Sequence, residues 1–565
     1  MKASDYIVEF LISKGIHDVF GYPGGMVTHL MDSFYKYEGQ ICAHINYHEQ
    51  GAAFAACAYS QTSGKVGVAY ATSGPGATNL ITGICNAYFD SIPTIFITGQ
   101  VNANESKGDI GVRQRGFQET DIVSIVKPIT KYAVYVESAA SLERYLNIAY
   151  EKAVSGRKGP VLLDIPMNVL RSEIEPIGYR ADDTDEAHER VVEAAKVLSR
   201  SLEESSCPCF LIGNGVKIAH CSASIRKEVE RLHIPSVTSM IAFDVLSDSP
   251  LNYGFIGAYG TRAANFIAAK SDLIVSIGSR MDIRQVGIRR ENFAPKAKIL
   301  RFDIDEGELE YRVHENEMQI CADMPVIISA LKQINISKDH SKWISVCDEI
   351  KNRLRDIDEC TVSKTIESIS DAAPPDVTIT TDVGQNQVWT AQFFKMKHGQ
   401  TVLFSGGHGA MGYSLPAAIG AYYGSGKKPV LCITGDGGMQ MNIQELQFIV
   451  REKLPIKIVV LNNNALGMIR HFQEMYFDGR YYQTKPEGGY TVPSFCKIAQ
   501  AYGIKSRQIN TGEPIKDLFS SNDPELVEIL INEDTYVRPK LEFGKPNQDQ
   551  EPLLDRKLYE YLMNL

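Results

Sequence analysis

One stretch, residues 429–463, constrains the fold of this chain more than any other. It opens with an apolar run at 430–433 and closes with a second one at 456–461, and such runs are typical of buried parallel strands. Between them, residues 444–452 carry apolar side chains at helical spacing. The stretch therefore predicts a strand–turn–helix–strand unit, and ligands of such units bind at the carboxyl ends of the strands.

Both strand ends carry residues suited to a phosphate and a cation. The first ends in the predicted turn Gly435-Asp436-Gly437-Gly438, and the second ends in Asn462-Asn463. Glycines let the backbone close on a phosphate, and a carboxylate with an amide oxygen suits Mg²⁺ bridging a diphosphate. Each half alone is equally well explained as a tight turn or a polar strand end. Together, GDG followed by 24 residues and then NN resembles the thiamine diphosphate (ThDP) motif.

Composition narrows the class of protein. A chain of 565 residues suggests about three to four domains, and a net charge of −10 argues against nucleic acid and acidic membrane surfaces as partners. No apolar run approaches the ~20 residues of a membrane helix. The 11 cysteines are mostly scattered, and no secretory signal precedes the first helix, so we expect a reduced, cytoplasmic protein.

Residues 1–173 are predicted to form an α/β domain with a mostly parallel sheet. Strands are expected at 18–22, 41–47, 66–71, 94–98 and 161–165, alternating with helices. Three of them end in unusual loops, at 21–25, 48–50 and 72–79. Glu49 opens an alanine-rich helix, where a carboxylate is favoured by the helix dipole alone, so its position by itself indicates no chemistry.

Two further α/β domains are predicted, at 190–335 and 373–540. The first has strands at 208–212, 272–277 and 298–302, which end in glycines and acidic residues; it is typical of a nucleotide-binding domain, although it lacks GxGxxG and could be empty. The second has a strand at 377–381 and contains the strand–turn–helix–strand unit of residues 429–463. The expected fold class is thus α/β, with three doubly wound parallel-sheet domains.

Polar segments separate these domains. Residues 174–190 are predicted to be a linker, and 336–372 a second one with a helix around 343–357. The tail, 541–565, is interrupted by prolines and only its end is predicted to be helical. It is expected either to lie over an active site as a lid or to be disordered.

Five motifs, in order, carry a resemblance to a known family: GYPGG, HEQGAAFAA, TSGPGATN, GFQETDIV and GPVLLDIP. The whole chain resembles the acetohydroxyacid (acetolactate) synthase branch of the ThDP enzymes. The resemblance implies a pyrimidine-binding (Pyr) domain, a central FAD-binding-type domain and a diphosphate-binding (PP) domain. It also implies ThDP, Mg²⁺ and FAD as cofactors, and a homodimer or homotetramer whose subunits share each active site.

The resemblance assigns roles to individual residues. Glu49 would hydrogen-bond the aminopyrimidine ring, Met411 would lie under the thiazolium, and Gln118 would line the catalytic site. Asp436, Asn463 and the carbonyl of Ala465 would bind the metal. The further ThDP contacts it implies are Pro23, Gly24, Asn79, Gln385, Asn386, Gly409, Gly435, Gly437, Gly438, Leu466, Gly467 and Met468. The FAD contacts it implies are Arg157, Gly213, Gly215, Gly257, Tyr259, Gly260, Thr261, Gly278, Arg280, Asp282, Arg284, Asp303 and Ile304.

The activity that the resemblance implies is decarboxylation of pyruvate and transfer of the two-carbon unit to a second carbonyl. On the acceptor side the chain departs from the family: Phe472 replaces Trp, Ala258 replaces Met, Ile283 replaces Asp and Met167 replaces Lys, while Arg284 is retained. Carboligases of branched-sugar pathways, such as that of yersiniose, are also similar and use a nucleotide-linked keto sugar. The product is therefore either acetolactate or a branched keto sugar.

The substrate-binding residues expected on this basis are Arg113, Arg115, Phe117, Gln118, Arg284 and Phe472. Arg113 and Arg115 stand where the family is usually uncharged or acidic, and guanidinium groups suit a diphosphate. Alternatives are a flavoenzyme that resembles pyruvate oxidase and a catalytically silent cofactor-binding paralogue. A simple decarboxylase is disfavoured because the His-His pair typical of pyruvate decarboxylases is missing around 113–118.

Overall fold

Three parallel sheets of six strands each organise the chain. The computed structural model describes residues 1–176, 178 and 187–565. Every strand pair in the three sheets is parallel, and helices flank each sheet, which confirms the predicted α/β class. Part of the first predicted linker, residues 177 and 179–186, lies outside the described residues.

The first sheet has the strand order β2-β1-β3-β4-β6-β5. Its strands are β1 (Asp18–Gly21), β2 (Cys42–Ile45), β3 (Gly67–Ala71), β4 (Thr94–Gln100), β5 (Tyr132–Tyr135) and β6 (Pro160–Pro166). Its helices are α1 (Ala3–Ser13), α2 (Thr28–Lys36), α3 (Glu49–Ser63), α4 (Pro75–Asn79), α5 (Ile81–Phe89), α6 (Ile122–Val126), α7 (Ala139–Val154) and α8 (Met167–Arg171). The strand β5, at the edge, was not predicted from the sequence.

The second sheet has the strand order β12-β11-β10-β7-β8-β9. Its strands are β7 (Pro208–Ile212), β8 (Ser236–Thr238), β9 (Asn252–Phe255), β10 (Leu273–Ile277), β11 (Lys298–Asp303) and β12 (Met318–Cys321). Its helices are α9 (Ala187–Glu204), α10 (Gly215–Ile218), α11 (Ser222–Leu232), α12 (Arg262–Lys270), α13 (Ile283–Val286), α14 (Glu306–Glu310) and α15 (Met324–Gln333). Residues 336–372 add two more helices, α16 (Ser341–Leu354), which packs on α12, and α17 (Thr361–Ala372).

The third sheet has the strand order β14-β13-β15-β16-β18-β17. Its strands are β13 (Thr378–Thr381), β14 (Thr401–Phe404), β15 (Val430–Gly435), β16 (Ile456–Asn462), β17 (Lys505–Asn510) and β18 (Glu525–Leu530). The helices that follow α17 are α18 (Gln385–Phe393), α19 (Ser414–Gly424), α20 (Asp436–Met441), α21 (Leu446–Arg451), α22 (Gly467–Tyr476), α23 (Phe495–Ala501) and, in the tail, α24 (Arg556–Asn564).

In each sheet the chain passes from one side of the sheet's first strand to the other. This switch lies between β1 and β3, between β7 and β10, and between β13 and β15. At such points the loops after two neighbouring strands diverge and leave a crevice in which α/β domains bind ligands. The fold therefore offers three equivalent crevices, one for each sheet.

The structure of residues 429–463 differs in one detail from the prediction. Gly435 to Gly438, predicted to be a turn, instead lead directly into helix α20, with Gly435 extended (φ −84°, ψ 168°) as its N-cap. The predicted helix at 444–452 starts as a single 3₁₀ turn and continues as α21. The same residue types favour turns and helix starts, which is why the two are hard to distinguish in the sequence.

Helices α3 and α19 join the first and third domains. A Cβ atom on Gly420 would lie 1.9 Å from the carbonyl oxygen of Ala55, so the two backbones are in direct contact. Gly424 packs in the same way against Tyr59 and Thr62. Small residues on both helices create this close approach, and one continuous apolar core extends across it.

The tail is anchored on the central domain by a buried arginine. Arg262 forms an ion pair with Asp358, with 2.8 Å between Nε and Oδ2. Its Nη1 and Nη2 donate to the carbonyl oxygens of Gln550 (3.1 Å) and Pro552 (2.8 Å). Beyond this point, Tyr559 of α24 packs edge-on against Phe266. In the part of the chain that the structure describes, we find no helix with the length and apolarity to cross a membrane.

We predict that Gly420→Ala destabilises the protein. The added methyl group would overlap the Ala55 carbonyl, which belongs to a helix backbone and cannot rotate away. Overpacking of this kind costs about 1–3 kcal/mol or more, so the melting temperature should fall by several degrees. Gly111→Ala is the matched control, because a Cβ at Gly111 meets no atom within 4 Å. Equal melting temperatures for the two variants would contradict the contact.

Candidate active site

The crevice of the third sheet gathers three buried polar residues. Asp382 follows β13, Asp436 follows β15, and Asn463 follows β16. All three side chains are buried. Because these strands are neighbours, their carboxyl ends bring the three residues to one edge of the sheet.

Asp436 is a buried carboxylate held by backbone N–H groups. Its Oδ1 accepts from the N–H of Gly437 (2.7 Å) and its Oδ2 from that of Ala465 (3.2 Å). Burial raises the pKa of Asp436 to about 7, although these hydrogen bonds act in the opposite direction. A carboxylate in such surroundings gains most from a bound cation, because a cation offsets the cost of removing the charge from water.

Asn463 completes a set of oxygen donors. Its Nδ2 donates to Oε1 of Gln385 (2.7 Å), which leaves its Oδ1 available to a cation. Among the described residues, no group of three or more His, Cys, Asp and Glu could hold a metal. One carboxylate, one amide oxygen and the Ala465 carbonyl nevertheless fit Mg²⁺, which binds few protein ligands and keeps bonds to water or phosphate.

Asp382 was not assigned a role from the sequence. Its Oδ2 accepts from the N–H of Gly412 (2.7 Å), and its Oδ1 from Asn386 Nδ2 (3.0 Å) and Thr434 Oγ1 (3.2 Å). Burial raises its pKa to about 6. Asp382 therefore ties three segments together: the loop containing Met411, helix α18 and strand β15. Its place directly after a predicted strand was the signal that could have identified it.

Glycines around this crevice make room for side chains. A Cβ on Gly438 would lie 1.9 Å from Oδ2 of Asp382, and one on Gly467 would lie 1.9 Å from Oε1 of Gln385. A Cβ on Gly437 would lie 2.8 Å from Cε of Met411 and 3.1 Å from Cδ2 of Leu466. The motif is thus glycine-rich because side chains pack directly on its backbone.

Glu49 is the first residue of α3 and is buried. Its Oε2 accepts from Asn79 Nδ2 (2.9 Å), which fixes the carboxylate and leaves Oε1 for a ligand. A Cβ on Gly76 would lie 3.3 Å from that Oε1. The structure thereby brings together Glu49 and Asn79, which were predicted separately, in the crevice of the first sheet.

Contacts within one chain tie the Glu49 loop to the third domain. Glu445 is buried, and its carboxylate accepts from Asn46 Nδ2 (2.9 Å) and from the N–H of Tyr47 (2.9 Å). Burial raises its pKa to about 7. Asn442 Nδ2 donates to Gln50 Oε1 (3.1 Å) and to the Gly412 carbonyl (2.8 Å). Neither Glu445 nor Asn442 had been assigned a role, since nothing in the sequence indicates which polar residues meet across domains.

The predicted ThDP contacts therefore fall into two groups. One group lies at the strand ends of the first sheet: Pro23, Gly24, Glu49 and Asn79. The other lies at the strand ends of the third sheet: Gln385, Asn386, Gly409, Met411, Gly435, Asp436, Gly437, Gly438, Asn463, Leu466, Gly467 and Met468. In the second group, Gly409 adopts a left-handed conformation (φ 69°), which a side chain would disfavour, and so turns the chain toward Met411.

A large cavity lies in the crevice of the second sheet. Its volume is about 1270 Å³ including the open mouth, and residues of all three domains line it. Nine of the thirteen residues predicted to bind FAD line its wall: Arg157, Gly215, Tyr259, Gly278, Arg280, Asp282, Arg284, Asp303 and Ile304. Ser239 Oγ, on the same wall, is buried and makes no hydrogen bond within the described residues.

The other four predicted FAD residues, Gly213, Gly257, Gly260 and Thr261, do not line the cavity wall. A Cβ on Gly213 would lie 2.1 Å from the Gly278 carbonyl oxygen, and one on Gly257 would lie 2.3 Å from that of Arg284. The two glycines thus allow strand ends to pack closely behind the wall. Arg157, which does line the cavity, pairs with Asp305 (2.9 Å) and Glu308 (2.5 Å).

Comparisons with known proteins agree with this geometry. Three family models of thiamine pyrophosphate (ThDP) enzymes match: the N-terminal TPP-binding domain at 1–125, the central domain at 195–331 and the C-terminal TPP-binding domain at 382–529. The large subunit of acetolactate synthase isozyme 2 of Escherichia coli is 34% identical and covers 97% of this chain and 99% of its own length. The chain belongs to the acetolactate synthase-like ThDP enzymes.

Other family members are similarly related. The acetolactate synthase large subunit of Lactococcus lactis is 35% identical over 96% of this chain and 95% of its own length. That of Corynebacterium glutamicum is 36% identical over 97% and 90%. Since all three domains take part in these matches, the family extends over the central domain as well as the two that carry the ThDP contacts.

Phe472, which is expected from the sequence to bind the acceptor, lies beside part of the tail. Phe472 of α22 contacts the ring of Tyr476 (4.6 Å between centroids), and Phe543 of the tail packs on both (6.2 and 5.6 Å). The N–H of Leu541 donates to the Ala258 carbonyl (2.7 Å). The tail therefore crosses from the central domain to α22. We call Phe472, Tyr476 and Phe543 the aromatic surface; only Phe472 had been predicted from the sequence to bind substrate.

Of the other predicted substrate residues, Arg284 lies on α13 of the central domain, and the remaining four lie on a loop of the first domain. Phe117 is 78% exposed, and Arg113 and Arg115 are exposed as well. Arg115 Nη1 donates to the Ser106 carbonyl (3.2 Å). Gln118 adopts a left-handed conformation (φ 63°) and packs against Gly74 of the TSGPGATN loop. The loop is thus adjacent to the Glu49 end of the site, whereas Phe472 belongs to the third domain.

We predict that Asp436→Ala abolishes Mg²⁺-dependent binding of ThDP. The substitution removes the only carboxylate of the proposed metal site, and neither Asn463 nor the Ala465 carbonyl can supply a negative charge. Titration calorimetry with ThDP at saturating Mg²⁺ measures the effect, and an affinity equal to that of the parent would refute the assignment. Asp478→Ala is the control, because the Asp478 side chain is 92% exposed.

Proposed function

We propose that this ThDP enzyme is a carboligase that decarboxylates pyruvate and transfers the two-carbon unit to a second carbonyl compound. The observation that carries the proposal is that the chain contains both a fixed, buried Glu49 in its first domain and the oxygen set of Asp436, Asn463 and Ala465 in its third. Relatives named acetolactate synthase, about a third identical over nearly the whole chain, support the same activity.

The chain's own residues have distinct tasks in this proposal. Asp436, Asn463 and the Ala465 carbonyl hold Mg²⁺, and the glycines of 435–438 leave space for the diphosphate. When bound, ThDP supplies the carbanion that attacks the 2-keto acid and the electron sink for loss of CO₂. Glu49, oriented by Asn79, holds the proton that the aminopyrimidine ring must exchange. Met411, packed over Gly437, would contact the cofactor from the side of the thiazolium.

The assembly is also part of the proposal. We infer a homodimer or homotetramer in which the Glu49 end of one subunit meets the Asp436 end of another. Glu445 and Asn442 fix these two ends of one chain to each other, so one subunit would present one half to each of two sites. The domain limits proposed are 1–173 (Pyr), 190–335 (central) and 373–540 (PP), followed by the tail, 541–565. Light scattering of the purified protein tests the assembly, and a monomer would contradict it.

FAD is proposed as the ligand of the central cavity. The volume of the cavity, its lining by nine expected residues and the unpartnered Ser239 hydroxyl fit a flavin dinucleotide. Arg157 would exchange its partners Asp305 and Glu308 for the ligand's phosphates. A yellow protein with about one FAD per chain supports this proposal. A colourless protein that neither binds nor is activated by added FAD would contradict it. Reduction of the flavin by pyruvate would instead favour a pyruvate oxidase-like enzyme.

A nucleotide-linked keto sugar is the second candidate acceptor. The side chains of the aromatic surface are 39–62% exposed, and exposed rings of this kind can stack on a ring system larger than a 2-keto acid. Arg113 and Arg115 add two exposed cations, which match a diphosphate. With 2-keto acids alone as acceptors, the product would be acetolactate.

We predict that Glu49→Gln retains ThDP affinity but lowers the rate of CO₂ release from pyruvate by at least about 100-fold, because an amide cannot accept the proton. Glu38→Gln, an exposed glutamate of the same domain, serves as control. A near-normal rate in Glu49→Gln would remove Glu49 from the mechanism. The absence of CO₂ release in the parent itself would indicate a catalytically silent paralogue.

We predict that Arg113→Ala/Arg115→Ala lowers use of a nucleotide-linked keto sugar by roughly tenfold, since each lost charge-assisted hydrogen bond weakens phosphate binding. Condensation of two pyruvate molecules should be unchanged. The assay is a panel of acceptors with labelled pyruvate, with Arg144→Ala, an exposed arginine on α7, as control. Conversion of 2-keto acids only, with no effect of the double substitution, would establish acetolactate formation instead.

A further inference from the structure

Residues 484–490 cover the metal end of the site. The N–H of Leu466, one residue after Ala465, donates to the carbonyl of Thr484 (3.0 Å). Thr484 is buried and donates to Oε1 of Gln473 (2.5 Å) on α22. A single 3₁₀ turn, Pro486–Gly488, then leads the chain to Tyr490. The segment is therefore fixed at its first residue against the loop that carries Asn463 and Ala465.

Tyr490 brings a polar group to the GDGG motif. Its hydroxyl oxygen lies 3.1 Å from the position that a Cβ on Gly437 would occupy, at the same point approached by Met411 and Leu466. The hydroxyl is buried and makes no hydrogen bond to any described residue. Buried hydroxyl groups without a partner are rare because they lose their bonds to water without replacement. The Tyr490 hydroxyl is thus a donor without a regular acceptor among the described residues.

The nearest charged group does not provide a regular acceptor. The Tyr490 hydroxyl lies beside the Asp436 carboxylate and interacts with it, but not in the geometry of a regular hydrogen bond. Both oxygens of Asp436 already accept a backbone N–H, from Gly437 and Ala465. An acceptor brought by a ligand between Gly437 and Asp436 would be reached by the hydroxyl, and the ligand expected there carries phosphate oxygens.

We propose that the Tyr490 hydroxyl donates a hydrogen bond to the diphosphate of ThDP. This rests on the proposed placement of the diphosphate at Asp436 and Asn463. The backbone of 435–438 contacts the diphosphate from strand β15 and helix α20, whereas Tyr490 contacts it from the separate segment 484–490. Tyr490 therefore adds a side-chain donor to a site otherwise built from backbone N–H groups and metal ligands.

Tyr490→Phe tests this proposal because it removes one oxygen atom and little volume. Titration calorimetry of the cofactor-free protein with ThDP at saturating Mg²⁺ should give an affinity about tenfold lower than that of the parent. The control is Tyr482→Phe, which changes the same residue type eight positions earlier, where the side chain is 73% exposed. Its affinity should equal that of the parent.

Thermal melting separates a binding role from a structural one. Without cofactor, Tyr490→Phe should melt at or above the temperature of the parent, because it loses a buried hydroxyl that has no partner. With Mg²⁺ and ThDP, its gain in melting temperature should be smaller than that of the parent. A lower melting temperature already in the cofactor-free variant would show that the hydroxyl stabilises the fold, and would overturn the proposal.

The Asp436→Ala variant distinguishes an error in this inference from an error in the proposed metal and diphosphate site. If Asp436→Ala abolishes ThDP binding while Tyr490→Phe binds ThDP as the parent does, the site stands and the inference is wrong. If Tyr490→Phe changes only the Mg²⁺ concentration needed for half-saturation, the tyrosine acts on Asp436, and the inference is wrong as well. Unchanged affinity in both variants would overturn the placement of the diphosphate itself.

Discussion

The backbone contact between α3 and α19 fixes the positions of the functional residues. Glu49 is the first residue of α3, and Met411 and Gly412 lie just before α19, so each helix has a proposed site residue at or next to its start. Because a carbonyl oxygen of α3 occupies the place of a side chain on Gly420, the helices have no freedom to slide. Asn442 then bridges the two starts, through Gln50 on one side and the Gly412 carbonyl on the other.

Three buried carboxylates share one arrangement at this end of the molecule. Asp382, Asp436 and Glu445 each accept hydrogen bonds from N–H or hydroxyl groups, and none of them forms an ion pair within the described residues. Burial outweighs these hydrogen bonds, and the pKa values of all three are raised. Two of them face protein donors only. Of the three, Asp436 alone also lies beside oxygen atoms that can bind a cation, namely the side-chain oxygen of Asn463 and the Ala465 carbonyl. A bound cation would favour the ionised form of Asp436.

Much of the fold could be predicted because its central strands are mostly apolar and buried. Strands β15 and β16 were predicted to within two residues, since every position in their apolar runs is buried on both faces. Seven strands were not predicted: β5, β8, β9, β12, β14, β17 and β18. Two of them show why: β17 (Lys505–Asn510) lies at an edge and is almost entirely polar, and β8 (Ser236–Thr238) has only three residues. Neither produces a periodic signal that a sequence can display.

The candidate site was predictable in its motifs but not in its contacts. Asp436, Asn463 and Glu49 lie in continuous motifs, whereas Tyr490 and Glu445 reach the site only through tertiary packing. The glycines predicted to bind FAD do not all line the cavity, and the reason is physical. Gly215 lines the cavity while Gly213, two residues earlier, packs behind its wall, and both have the same sequence signal.

The docked tail has a consequence for how enzymes of this kind diversify. Phe543 belongs to a segment held by Arg262 and outside all three sheets, yet it forms part of the aromatic surface beside Phe472. The buried carboxylates and the packed helices tolerate little change, because each contacts several segments at once. The tail contacts mostly one face of the central domain. Substitutions, insertions or exchange of this short stretch can therefore remodel the aromatic surface during evolution while the packed residues of the three domains stay intact.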